Sequence, residues 1–220
     1  MMPAREEQRD LSDVRGSLKE AEAILSEHLS RRETLLKESR DIISSCSRAI
    51  ISVHGGKLKE ADLSLTAARK VLNGLRKAGE GQTARYLIPP ETEFVEASAV
   101  LAIARRRTIP GRALLHVSPE AYLLGLLDTV GELKRLVLDS IMRSNIKNAK
   151  SNFALMEEIY SVCSPLAVYD HVVNGARRKI DVARMLVEDT RGLLTEELRR
   201  ESVITSMGKL QKKLERRAGA

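Results

Sequence analysis

The chain has 220 residues, with 37 Lys and Arg against 30 Asp and Glu and a formal net charge of +7. At 43% hydrophobic and 30% charged residues it can bury a core, which excludes disordered and collagen-like chains. No Trp, 2 Phe and 4 Tyr leave too few rings for binders that stack bases on aromatic platforms, while the positive surplus favours phosphate-bearing partners.

In chain order, the polar, mixed-charge start does not read as a signal peptide. Leu11 to Val53 reads as one long helix of ~60 Å, closed by Gly55-Gly56. A domain of this size cannot cover so long a helix, so part of its apolar face is expected to pack on another subunit. A second helix covers about Lys57 to Lys77 and ends near Gly79. Arg85 to Pro90 is a connector, and Pro90 opens a third helix that runs to about Arg107. Ser118-Pro119-Glu120 supplies an N-cap, a first-turn proline and a first-turn acid, so a fourth helix runs from there to about Ser144. Further helices are expected over Ile146 to Cys163, Leu166 to Arg191 and Leu193 to Arg216, with Gly192 as the break between the last two. Six or seven helices with short connections make an all-α bundle, read as one domain over residues 1–220. No run reaches the ~18 apolar residues of a membrane helix. Cys46 and Cys163 lack metal-site spacing and sit among aliphatic residues, as buried small hydrophobes of a reducing, cytoplasmic compartment would.

Two acidic pairs carry the chemistry. Glu93 and Glu96 are three apart on one face of the third helix, which continues through Ala97, Val100, Ala104 and Arg107. Two carboxylates thus head a stripe whose natural place is buried, and buried carboxylates need a metal or a base beside them. Asp128 and Glu132 are four apart on the fourth helix, opposite its apolar face and in line with Ala121, Gly125 and Arg135. That face is the solvated side by default, but its small residues would let another backbone approach or leave room for a ligand. Clustered carboxylates with few nitrogen or sulfur competitors suit a hard divalent cation such as Mg²⁺. His28, His54, His116 and His171 share no spacing and read as structural or surface residues. Arg105, Arg106, Arg107 and Arg112 form one basic cluster. The stretch Leu198 to Arg217 forms a second, with Arg199, Arg200, Lys209, Lys212, Lys213, Arg216 and Arg217 against Glu201 and Glu215. Each is either a solvated face or a phosphate-binding surface.

At these residues the sequence resembles the translin family, and more closely its Trax (translin-associated factor X) branch. ETEFVEA, Glu91 to Ala97, is similar to the family's E-[FY]-[VI]-E-A helix. LHVSPEAYLLGLLDTVGELKR, Leu115 to Arg135, is similar to the Y-L-L-G-x-x-D-x-x-G-E-L-x-R stretch of Trax. A weaker likeness continues through Arg178-Lys179 to Thr190-Arg191-Gly192, and residues 1–30 lie outside it. The resemblance implies about seven helices assembled into a hollow, usually octameric oligomer that binds RNA and single-stranded DNA inside. In a compact prokaryotic-type member this would be a homo-oligomer of six to eight subunits. It also implies a Mg²⁺-dependent endoribonuclease, with Mn²⁺ as an alternative ion. Glu93, Glu96 and Asp128 would be catalytic and hold the metal, Glu132 would be a further ligand or orient a water, and Arg105, Arg106, Arg107 and Arg135 would contact nucleic acid. Two other expectations stand beside this one: a nucleic-acid-binding oligomer without catalysis, and a purely structural helical assembly.

Overall fold

Local signals set most helix ends, and the computed structural model, which describes residues 11–78 and 85–218, follows them closely. Helix α1 (Ser12–His54) stops at Gly55, and Gly56 takes φ +73°, a left-handed turn that a β-carbon would strain. Then come α2 (Leu58–Ala78), α3 (Ile88–Ala104), the single turn α4 (Arg112–Leu115), α5 (Pro119–Met142), α6 (Ile146–Cys163) and α7 (Ala176–Ala218). Among the described residues there is no strand. Ser118 caps α5 through its hydroxyl, which accepts from the Ala121 N–H, and Pro119 fills the first turn. The expected end of α2 at Gly79 lies outside the described residues.

The C-terminal third corrects two expectations. No α-helix begins at Leu166: Ser164–Tyr169 is a 3₁₀ turn with Pro165 at its start, and the chain bends through Gly175 at φ +83° before α7 begins. Asp170 closes that bend by accepting from the Arg177 N–H at 2.9 Å. Nor does Gly192 break the chain. It lies inside α7, which runs on through it for 43 residues. A lone glycine in a helix costs about 1 kcal/mol relative to Ala. Val187, Thr190 and Leu194 are buried around it, and that packing outweighs the local preference.

Two apolar clusters meet at the α3–α5 contact. One joins Leu35, Ile42 and Cys46 of α1 to Leu72 of α2 and Phe94 of α3. The other joins Leu127 and Val130 of α5 to Met156 of α6 and Ile180 of α7. Leu126 touches both.

Helix α1 is about 65 Å long, and only its second half is covered. Its inward stripe, Leu35, Ser39, Ile42, Cys46, Ala49 and Val53, has alternating steps of three and four. The same steps continue towards the N-terminus through Leu25, Ala21, Leu18, Val14 and Leu11, where Leu25 is 65% exposed. The far end of α7 repeats the pattern with Val203, Met207, Leu210 and Leu214, all exposed. Both arms therefore present coiled-coil-like seams that no other described residue of this chain covers. Among the described residues no helix is long and apolar enough to cross a membrane.

Candidate functional site

Helix α3 is buried nearly all round, from Pro90 and Phe94 to Val100 and Leu101, so an acid on it lies in or beside the interior. Helix α5 is brought hard against it by Gly125. A β-carbon there would sit 2.6 Å from both the Thr92 carbonyl oxygen and Val95 Cβ. Ala121 on the same face is fully buried. The face that reads as solvated by default is therefore an interior helix contact, and small residues create it. One and two turns further along it, Asp128 and Glu132 arrive half-buried beside Glu93 and Glu96.

Glu93 and Glu96 respond to the charges gathered around them. Burial pushes Glu96 up from the usual carboxylate range to about 8, helped by the negative charges of Asp128, Glu93 and Glu132 and opposed by Lys179. Glu93 is also raised, first by burial and then by Asp128, against the same lysine. Two of the four acids already have basic partners. The Lys179 ammonium of α7 bonds both oxygens of Asp128. His54, the last residue of α1, places Nε2 2.5 Å from Glu132 Oε2 and Nδ1 3.3 Å from Asp139 Oδ2. Four helices thus supply one polar seam between the two apolar clusters. Cys46 borders it; burial, then Glu93 and Glu96, push its thiol up to about 12, so it is an inert wall.

The donor set is all oxygen apart from His54, and an ammonium group occupies one of its carboxylates, which is the chemistry of a hard-cation site. Among the described residues, no three of these donors come together in a ligating arrangement.

The basic residues divide. Arg105 is held: its guanidinium donates to Asp62 Oδ1 at 3.0 Å and to the Leu58 carbonyl at 3.2 Å, tying the end of α3 to the start of α2. Arg106, at φ +55°, and Arg107 are exposed, as is Arg135 on α5. The arginine cluster stands about 15 Å along the helix axis from Glu96, so it does not adjoin the acids. Lys179 does adjoin them, and sequence reasoning assigned it no role. Its signal was a lysine beside the inward stripe Ala176, Ile180 and Ala183. His54 could have been found as the residue four beyond buried Ile50.

The raised Glu96 has a measurable consequence. Its carboxyl binds its proton more tightly in the folded chain than in the unfolded one. Its contribution to stability is therefore complete below about pH 4.5 and is lost as pH rises towards about 8. In EDTA, Glu96→Gln is expected to raise Tm at pH 8.5 and to leave it unchanged at pH 4.5. An equal shift at both values would show that the side chain is not titrating as a buried acid.

The chain is similar to known proteins in sequence and in overall fold. The sequence profile of the Translin family matches residues 92–189, a span that contains all four acids and Lys179. MJ0175, an uncharacterised protein of Methanocaldococcus jannaschii, is 34% identical over 166 residues, covering 73% of each chain. Among solved structures, AfC3PO in a complex with duplex RNA superposes with a TM-score of 0.73 at 30% identity, over 82% of this chain and 96% of that one. A crystal structure of AfC3PO gives a TM-score of 0.73 at 31% identity over the same shares. Apo-NeC3PO, at 21% identity and a TM-score of 0.71 over 86% of this chain and 99% of that one, shares the fold.

Proposed function

The chain belongs to the translin family, and on that premise we propose that it is an RNA-binding homo-oligomer with Mg²⁺-dependent endoribonuclease activity, its acid set being of the Trax type. One observation carries this reading. Four carboxylates from two helices are gathered in a half-buried seam, at a cost visible in the raised Glu96 and Glu93. Packing alone gives no reason to collect them, because apolar residues would fill the seam more cheaply.

Glu93, Glu96 and Asp128 would hold Mg²⁺, with Glu132 beside them as a further ligand or as an acceptor that orients water. Bound there, the ion supplies a Lewis acid that lowers the pKa of a water and neutralises charge on a phosphodiester. The chain's own part is to keep these acids close and partly dry, so that their charge acts in a low dielectric. Lys179, which bonds Asp128 in the free chain, would pass to a phosphate oxygen when RNA binds, and the exposed Arg106, Arg107 and Arg135 would track the backbone without reading bases. Arg105, already committed to α2, contributes to this only by fixing the end of α3. The RNA bound by AfC3PO supports the partner class. The exposed apolar seams of α1 and α7 support assembly into an oligomer, since such stripes are commonly covered by a partner helix, and the expected number of six to eight copies rests on the family resemblance.

The test is incubation of labelled RNA with the purified protein, with and without Mg²⁺, alongside light scattering and binding titrations over a range of salt. Cleavage only in Mg²⁺, a mass of six to eight subunits and affinity that falls steeply with salt are expected. Arg106→Ala with Arg107→Ala should flatten that salt slope. Salt-sensitive binding without cleavage would mean a binding protein only, and a monomer mass would remove the oligomer.

A further inference from the structure

His54 is the one imidazole in this seam, and its setting is unusual for a helix terminus. The side chain is 5% exposed, yet both ring nitrogens face carboxylate oxygens of α5. Glu132 and Asp139 are seven residues apart, two helical turns, so the ring spans them as a brace from α1. The Glu132 bond, at 2.5 Å, is the tighter of the two. It takes up Oε2 and leaves Oε1 of the same carboxylate free to ligate a cation. The inward stripe of α1, from Leu35 to Val53, packs on α2 and α3, so the apolar core already holds this helix and His54 is what links its end to α5. On the side of Asp139 lies a cavity of about 140 Å³, lined by His54, Asp139, Ser140 and Arg143 among others. The ring is thus closely held at Glu132 and has room at Asp139. A fixed hydrogen bond to one carboxylate oxygen removes rotamers that a lone glutamate would otherwise sample, and such outer contacts typically change metal affinity by about 10–100-fold.

We infer that His54 is a positioning residue: braced by Asp139, it holds Glu132 in the orientation that completes the divalent-cation site, and so acts on the metal without touching it. This rests on the reading of the acid seam as a cation site.

The experiment measures Mn²⁺ binding to the metal-free protein by electron paramagnetic resonance of the unbound ion, with no RNA present. His54→Ala is expected to weaken Mn²⁺ binding by about 10–100-fold while the protein keeps its helical circular dichroism. Glu132→Gln should show a similar loss, and the double variant should be no weaker than Glu132→Gln alone, because His54 works only through that carboxylate. His54→Gln should recover most of the affinity, since its amide can still donate to Glu132. Losses that multiply in the double variant, or a folded His54→Ala protein with wild-type affinity, would overturn the proposal and leave His54 as a bolt between α1 and α5. Should His54→Ala not fold, Asp139→Ala decides, because it removes the oxygen that faces Nδ1 and Asp139 is one-third exposed, so the change is tolerated. A threefold or greater loss that vanishes in the Glu132→Gln background supports the brace, and unchanged affinity overturns it. Wild-type protein that binds no Mn²⁺ at all would remove the cation site itself, and this inference with it. Wild-type binding with no response to His54 or Asp139 removes this inference alone.

Discussion

Asp128→Asn is expected to lower Mg²⁺-dependent RNA cleavage by a factor of about a hundred or more, the usual scale for loss of one key electrostatic group at a reacting centre. The substitution keeps the size of the side chain and removes the charge that would share a cation with Glu93 and Glu96. Its effects on the folded protein offset one another. The Lys179 ammonium loses its carboxylate, but that side chain is 36% exposed and can turn to water. Glu96 and Glu93 lose a neighbouring negative charge that raises both of them. Tm should therefore stay close to wild type, and RNA affinity should hold or rise slightly as repulsion of phosphate is relieved. Glu93→Gln and Glu96→Gln should lose cleavage to a similar degree. An Asp128→Asn protein that cuts RNA at the wild-type rate in Mg²⁺ would show that the seam only organises helix packing.

The largest effect on stability should come from Glu91, an acid that takes no part in the proposed chemistry. Glu91 is 5% exposed, and both of its oxygens are used. Oε1 accepts from Arg76 Nε at 2.9 Å, and Oε2 accepts from the Ser118 N–H at 2.8 Å. Arg76, itself 18% exposed, also donates to the Leu115 carbonyl at 3.2 Å and to Asn73 Oδ1 at 3.1 Å. One carboxylate on α3 therefore joins Arg76 of α2 to the N-cap residue of α5, and Arg76 extends the link to Leu115 at the end of α4. Glu91→Ala would strand a mostly buried guanidinium and an N–H group together. Breaking a buried pair from one side costs about 3–5 kcal/mol, which urea unfolding would register as a clear fall in midpoint at unchanged slope. A loss below about 1 kcal/mol would mean that water replaces the carboxylate. Because Ser118 starts the helix that carries Asp128, any loss of cleavage in this variant should track the unfolded fraction and disappear at low temperature.

The sequence by itself determined whatever depends on near neighbours along the chain. Ser118 and Pro119 start α5, and Gly55-Gly56 ends α1, because capping and left-handed turns involve only a few residues. Glu93 and Glu96 had to share a face because they are three apart on a helix, and Ala121 and Gly125 marked the side of α5 on which a backbone could approach. The tertiary structure decided the rest. Gly192 reads as a helix end, yet buried neighbours carry α7 through it, since packing outweighs a local penalty of about 1 kcal/mol. Arg105 reads as a nucleic-acid contact, yet Asp62, 43 positions away, holds it at the far end of α3. Lys179 reaches Asp128 across 51 positions and His54 reaches Glu132 across 78, and no local pattern reveals either pair. The physical reason is the range of the forces involved. Helix propensity and capping act within a turn or two, whereas desolvation and charge pairing depend on which distant segments the fold brings together.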